Sequence, residues 1–132
     1  MSRNRLIPIA FLLAGGLPEV TETLNPVATQ LERYLDLLSV RQSLVTSNIA
    51  NVDTPGYQTK DIDFVDELRR ASGSPEILEA GGLVTKNDGN NVSLDRESRL
   101  LSENALRFQA ASGLLRAQIQ QVRSAIKEGQ GS

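Results

Sequence analysis

The chain has 132 residues, with 14 Lys and Arg against 16 Asp and Glu and a formal charge of −2. It contains neither Cys nor His, which removes disulfides, the common zinc sites and nucleophile–base pairs built on those residues. The charge balance offers no basic stripe for nucleic acid. At 4% aromatic content, any core must draw its buried area mostly from Leu, Ile, Val and Ala.

Residues 1–25 stand apart. Arg3 and Arg5 precede the apolar run Leu6-Ile7-Pro8-Ile9-Ala10-Phe11-Leu12-Leu13-Ala14, and Gly15-Gly16 follow. A basic start, a short apolar run and small residues after it form a signal-like pattern. The run is too short for a membrane-spanning helix, which needs about 20 apolar residues. Pro8 inside the run speaks instead for a flexible upstream extension or a start assigned too early.

Asn25-Pro26 has the chemistry of an N-cap followed by the first helical residue. From there Leu24, Ala28, Leu31, Leu35, Leu38, Gln42, Val45, Ile49 and Val52 recur in alternating steps of four and three, with Gln42 the only polar member. That period predicts a heptad seam on a helix over 26–52, about 39 Å long for residues 26–51 at 1.5 Å per residue. Thr54-Pro55-Gly56-Tyr57 then predicts a type II turn. Pro presets φ at the second position, and Gly supplies a positive φ at the third. Pro55 also forces Thr54 out of the α region, so the helix must stop near Asn51–Asp53.

Residues 53–92 carry no sustained period. Asp61-Ile62-Asp63-Phe64-Val65-Asp66-Glu67-Leu68 suits a short helix with Phe64 and Leu68 on one face, and Leu83-Val84-Thr85 a brief extended piece. Gly73-Ser74-Pro75, Gly81-Gly82 and Asn87-Asp88-Gly89-Asn90-Asn91 are loop punctuation. With few large apolar residues, this middle is expected to be mobile in the free protein. Its acids Asp61, Asp63, Asp66 and Glu67 could mark a cation site or carboxylate pair. The favoured reading is a solvated helix start, where acids meet the positive end of the dipole, since the chain shows little core to build a catalytic pocket. Asn91-Val92-Ser93 matches a glycosylation sequon, read as incidental.

The period returns over 93–128. Leu101, Ala105, Phe108, Ser112, Leu115, Ile119, Val122 and Ile126 again step by four and three, predicting a helix of up to roughly 50 Å. Gly113 sits in its middle, where close packing would explain it. Lys127 suits the last turn, and Gly129 and Gly131 close the pattern. The expected fold is mainly α, with long amphipathic helices near each terminus paired as an antiparallel coiled coil around an irregular, partly extended middle, and a short tail at 129–132. Leucines off the seams (Leu37 and Leu44, then Leu100, Leu106 and Leu114) need cover, either from the middle segment or from other subunits.

Asn48-Ile49-Ala50-Asn51-Val52-Asp53-Thr54-Pro55-Gly56-Tyr57 resembles the signature of the bacterial flagellar axial proteins, the rod, hook and hook-associated proteins. Pro before Gly, with Arg41-Gln42-Ser43-Leu44 upstream, most resembles their proximal rod branch. Asp61-Ile62-Asp63-Phe64, Gly89-Asn90-Asn91-Val92-Ser93-Leu94-Asp95-Arg96-Glu97, Glu103-Asn104-Ala105-Leu106-Arg107-Phe108-Gln109 and Val122-Arg123-Ser124-Ala125-Ile126 agree, so the resemblance covers about residues 30–128. Gln58-Thr59 and Ser93 depart from it, as does the long apolar segment 1–25.

What the resemblance implies is a structural subunit without catalytic, cofactor-binding or metal-ligating residues. It implies an assembly motif at Asn48, Ile49, Ala50, Asn51, Thr54, Pro55, Gly56 and Tyr57. The seams would be Leu31, Leu35, Leu38, Val45 and Ile49 on one helix, and Leu101, Phe108, Leu115, Ile119, Val122 and Ile126 on the other. It implies self-association in a helical array with other rod subunits and the membrane-ring (MS-ring) junction protein. Export from the cytoplasm through the flagellar type III apparatus, and a place in the rod across the periplasm, follow from it too. No nucleic acid or small-molecule substrate is implied. Such proteins leave the cell without cleavage, which favours the extension reading of residues 1–25. The alternatives are a sister rod protein or a non-catalytic helical-hairpin adaptor or export chaperone.

Overall fold

The computed structural model describes residues 26–130. The expected Asn25 cap, the seam position Leu24, the signal-like run and Gly131 lie outside the described residues. In chain order the elements are α1 (Pro26–Ala50), β1 (Lys60–Asp61), α2 (Phe64–Arg70), β2 (Leu78–Glu79) and α3 (Leu94–Gln130). The described chain is mainly helical, and its two long helices pack together.

α1 opens on Pro26, a position where a missing N–H is harmless. It ends at Ala50, just ahead of the expected stop, as the chain tightens into short-range bonds: Asn51 N to Asn48 O at 3.2 Å and Val52 N to Ile49 O at 3.2 Å. The turn that follows has the expected type II form. Tyr57 N donates to Thr54 O at 3.2 Å, and Gly56 has φ of 74°.

α2 is capped at both ends. The Asp63 side chain accepts from Asp66 N at 3.0 Å, and Ala71, left-handed at φ 58°, donates back to Glu67 O. β1 and β2 pair antiparallel, Lys60 opposite Glu79 and Asp61 opposite Leu78, and Ala80 N extends the contact to Thr59 O at 2.8 Å. The extended piece expected at Leu83–Thr85 is therefore corrected: the strand lies earlier, at Leu78–Glu79. Gly81-Gly82 turn the chain off the pair before Leu83 is reached, leaving Val84 88% exposed. α3 starts behind Ser93, whose hydroxyl accepts from Arg96 N at 3.3 Å, and continues through Gly129 instead of closing there.

The described chain divides into two units. Residues 33–110 contain the core cluster Leu37, Leu38, Ile62 and Phe64, with Tyr34, Val40, Leu44 and Leu68 packed against it. The Tyr34 and Phe64 rings meet edge to face at 5.3 Å, and the Arg41 guanidinium lies 5.1 Å over Phe64. This cluster settles part of the leucine question. Leu37 and Leu44 are covered from within the chain, by Ile62, Phe64 and Leu68 of the middle segment. Leu106 and Leu114 on α3 stay exposed. In the other unit, the start of α1 to Glu32 and the end of α3 from Ala111, the buried apolar residues are Ala28, Ala111 and Ile119.

Among the described residues, and apart from the helix's own backbone, no atom lies within 4 Å of where a Gly113 Cβ would stand, so close packing among them does not explain this glycine. Gly113→Ala should therefore stabilise the isolated protein by about 1 kcal/mol through helix propensity, read as a rise of a few degrees in a thermal melt. Leu37, fully buried, should behave oppositely: Leu37→Ala should lower the unfolding free energy by roughly 2–5 kcal/mol in a urea titration.

Candidate functional site: a polar joint at the end of the first long helix

The motif residues meet around one side chain. Asn48 is completely buried near the C-terminal end of α1. Its Nδ2 donates to Lys60 O at 2.9 Å and to Glu97 Oε2 at 3.1 Å. Its Oδ1 accepts from Lys60 N at 3.0 Å and from the Tyr57 hydroxyl at 3.0 Å. A side-chain amide has two donors and two acceptor sites, and here all four are filled. Asn48 thus pairs with the backbone of Lys60 much as a neighbouring strand would, while reaching α3 through Glu97.

The turn is held from the opposite side by residues 86–92. Asn90, also fully buried, donates through Nδ2 to Asn51 O at 2.9 Å and Thr54 O at 2.8 Å, and its Oδ1 accepts from Val92 N at 2.8 Å. Both carbonyls, which already accept turn bonds from Thr54 N and Tyr57 N, thereby gain a second donor. Asn91 Oδ1 accepts from Thr59 N at 2.7 Å, and its Nδ2 donates to Gln58 Oε1 at 2.9 Å. Gly56 N donates to Asp88 O at 2.9 Å, and Gln58 Nε2 to Gly89 O at 2.8 Å. Gly89 combines a φ of 85° with a close approach: a Cβ there would stand 3.3 Å from Gly56 Cα. A side chain at Gly89 would push the two loops apart.

A charged network closes the third side. Arg41 Nε meets Asp61 Oδ1 at 2.9 Å, Arg96 bridges Asp61 and Glu97, and Glu97 returns to Asn48. Two arginines face two carboxylates, so the group is neutral as a whole. Glu97 is fully buried, and a lone carboxylate there would be strongly unfavourable. Burial disfavours the charged form of Arg96, but hydrogen bonds to Asp61 and Glu97, together with their charges, outweigh it and raise its pKa. A second buried carboxylate, Glu67, is engaged by Arg70 at 3.0 Å, by Arg33 at 3.4 Å and by Glu76 N at 3.0 Å, while Arg33 also holds Gly73 O at 2.8 Å.

These contacts revise the expectation of a loosely held middle. Thr59, Asp61, Ile62, Phe64, Glu67, Asn90, Asn91 and Val92 are all buried. Hydrogen bonds from buried amides and carboxylates do there what apolar area would otherwise do. The acidic cluster is likewise dispersed: Asp61 faces arginines, Asp63 caps α2, and Glu67 ties the loop after it.

Of the motif residues, Asn48, Asn51, Thr54, Gly56 and Tyr57 take part directly. Thr54 Oγ1 donates to Asn51 Oδ1 at 3.1 Å. Pro55 lies exposed between Thr54 and Gly56, and Ile49 is half-buried beside an exposed Ala50. On the seams, Leu38, Val45 and Ile119 are buried, while Leu31, Leu35, Leu115, Val122 and Ile126 are half-buried. Leu101 and Phe108 differ, being 38% and 45% exposed, because Glu97 and Asn104 occupy the α3 face turned toward α1. Sequence reading missed the structural parts of Arg41, Asp61, Asn90, Arg96 and Glu97. The Asn90-Asn91 doublet after Gly89 was the visible hint.

Asn48→Leu should leave the Lys60 amide and carbonyl and the Glu97 carboxylate short of partners. A loss of roughly 3–5 kcal/mol in denaturant unfolding is expected, with lost exchange protection at the Lys60 amide. A loss below about 1 kcal/mol would remove Asn48 from this role. Gly56→Val should lower stability by about 1–2 kcal/mol, since a β-branched residue resists the left-handed φ.

Among the described residues, no helix is long and apolar enough to cross a membrane. The family described as "Flagella basal body rod protein" matches residues 35–58, the latter part of α1 and the turn. The flagellar basal body rod protein FlgB of Cereibacter sphaeroides is 38% identical over 112 residues, covering 70% of this chain and 88% of the relative. FlgB of Yersinia enterocolitica is 34% identical over 125 residues, and FlgB of Escherichia coli K12 is 30% identical over 125, each match covering 74% of this chain and 91% of the relative. By this likeness along most of its length, the chain belongs to the FlgB family of flagellar basal body rod proteins.

Proposed function

We propose that the chain is a structural subunit of the flagellar basal body rod. It is built into the axial tube through its two long helices and takes no part in catalysis. The observation that carries this reading is the joint itself. Its buried polar groups are consumed by one another, Asn48 by four bonds and Asn90 by three. They shape a fixed bend; they do not present groups to a substrate. Likeness to proteins named as rod components along most of the chain supports the same reading.

The two long helices act as an antiparallel coiled coil. The order of their bonds supports this, since Asn48 meets Glu97 while the earlier Gln42 meets the later Asn104. Apolar residues left open along α3, Leu106 at 69% and Leu114 at 57% exposure, are the positions where neighbouring subunits complete the core, in a helical array that does not close on itself. Other rod subunits and the ring–rod junction protein are its neighbours. The flagellar type III apparatus delivers it from the cytoplasm to a rod that crosses the periplasm and carries torque.

Deleting the gene should abolish swimming, and the intact chain should restore it and co-purify with hook–basal bodies. A deletion strain that swims normally would end the proposal. Leu106→Asp and Leu114→Asp should leave the melting temperature of the isolated protein within a degree or two, since surface changes usually shift stability by no more than about 0.5 kcal/mol. Incorporation into basal bodies should nonetheless fall sharply, with export intact.

A further inference from the structure

Heptad spacing along α3 would turn Leu101, Ala105 and Phe108 toward α1, yet the side chains found there are Glu97, hydrogen-bonded to Asn48, and Asn104, hydrogen-bonded to Gln42. At 100° per residue, Leu101 lies about 40° around the helix axis from Glu97, and Phe108 about 40° from Asn104. A roll of that size would exchange the polar pair for the apolar one. Beside them lies a hollow of about 250 Å³, open to solvent and lined by Leu38, Ser39, Gln42, Asn104, Ala105 and Phe108. Phe108 lines the hollow while staying 45% exposed.

We propose that Glu97 and Asn104 are a rotational lock on α3, holding Leu101 and Phe108 out of the chain's own core and free for a neighbouring subunit. Apolar burial alone favours the rolled state, in which Phe108 fills the hollow and Leu101 covers part of α1. The lock opposes it because rolling would strand buried groups. Glu97 would leave Asn48, Arg96 would leave Asp61, and Asn104 would leave Gln42. A buried carboxylate or amide without partners weighs more than the apolar area gained. A buried polar residue on a helix seam can fix register while lowering stability; here the quantity fixed is rotation about the helix axis. The reason for keeping the stripe open rests on the assembly reading above, but the lock itself is a property of the isolated chain.

The chain has no cysteine, so Leu101→Cys, which keeps Phe108 in place to fill the hollow, gives a single thiol whose labelling rate reports exposure. That thiol should react at nearly the rate of a free thiol in the otherwise unchanged chain and with Glu97→Gln, which preserves an acceptor for Asn48. With Glu97→Ala and Asn104→Ala together, α3 should roll, slowing labelling roughly tenfold as the site becomes reachable only through local opening. Asn104→Ala alone should slow it about threefold by the same route. Unchanged labelling in both alanine backgrounds, with helix content retained, overturns the lock. Loss of helix in both overturns it as well, since the rolled state must be a folded one. Labelling is read on the isolated protein, so a chain that labels as expected but never enters a basal body refutes the rod assignment and leaves the lock standing.

Discussion

One buried amide constrains the rest. Asn48 must reach the backbone of Lys60, the hydroxyl of Tyr57 and the carboxylate of Glu97 at once, so the end of α1, the turn, β1 and the start of α3 have one mutual arrangement. Leaving a buried polar group unpaired is more unfavourable than a typical hydrogen bond is favourable. The three partner residues are therefore fixed less by attraction than by the lack of an acceptable alternative. Arg41, Asp61 and Arg96 extend the constraint outward. Through Arg41 over Phe64 they join it to the small apolar cluster.

This arrangement explains how a chain poor in aromatic residues holds a defined shape over residues 33–110. The cluster around Leu37 and Phe64 is small, and small cores are marginal on their own. Around it, buried Asn, Asp and Glu side chains stitch loops to helices across long sequence separations. Asn90 reaches back to Asn51 and Thr54, Asn91 to Thr59, and Glu67 to Arg33. A structural subunit gains from such a division. The polar joint sets geometry, and apolar surface is left over for neighbours.

Periodicity and turn chemistry made α1, the type II turn, the short α2 and most of α3 readable from sequence, because each rests on local rules. Leu38 and Val45 of α1 are buried. The clamp by Asn90 and Asn91 was not readable, since amide hydrogen bonds over thirty or more positions leave no period behind. The short strand was misplaced for a related reason. Leu83-Val84-Thr85 has better β-forming residues than Leu78-Glu79, yet pairing was decided by where Gly81-Gly82 turn the chain away from β1. On α3 the apolar period suggested Leu101 and Phe108 as the inner face, whereas the partners of Glu97 and Asn104 decided it. Leucines were ambiguous in the same way: Leu37 and Leu44 found cover within the chain, and Leu106 and Leu114 did not.

The contrast between the polar joint and the apolar cluster also separates how the two respond to temperature. Exposing apolar surface raises heat capacity on unfolding, and exposing polar surface lowers it. The joint, made of amides, carboxylates and guanidinium groups, contributes little or negatively to that change, while Leu37, Leu38, Ile62 and Phe64 supply the positive part. On cooling, the apolar contribution weakens and the hydrogen-bonded one persists. The joint of Asn48, Tyr57, Lys60 and Glu97 is thus the part of residues 33–110 whose hold weakens least on cooling.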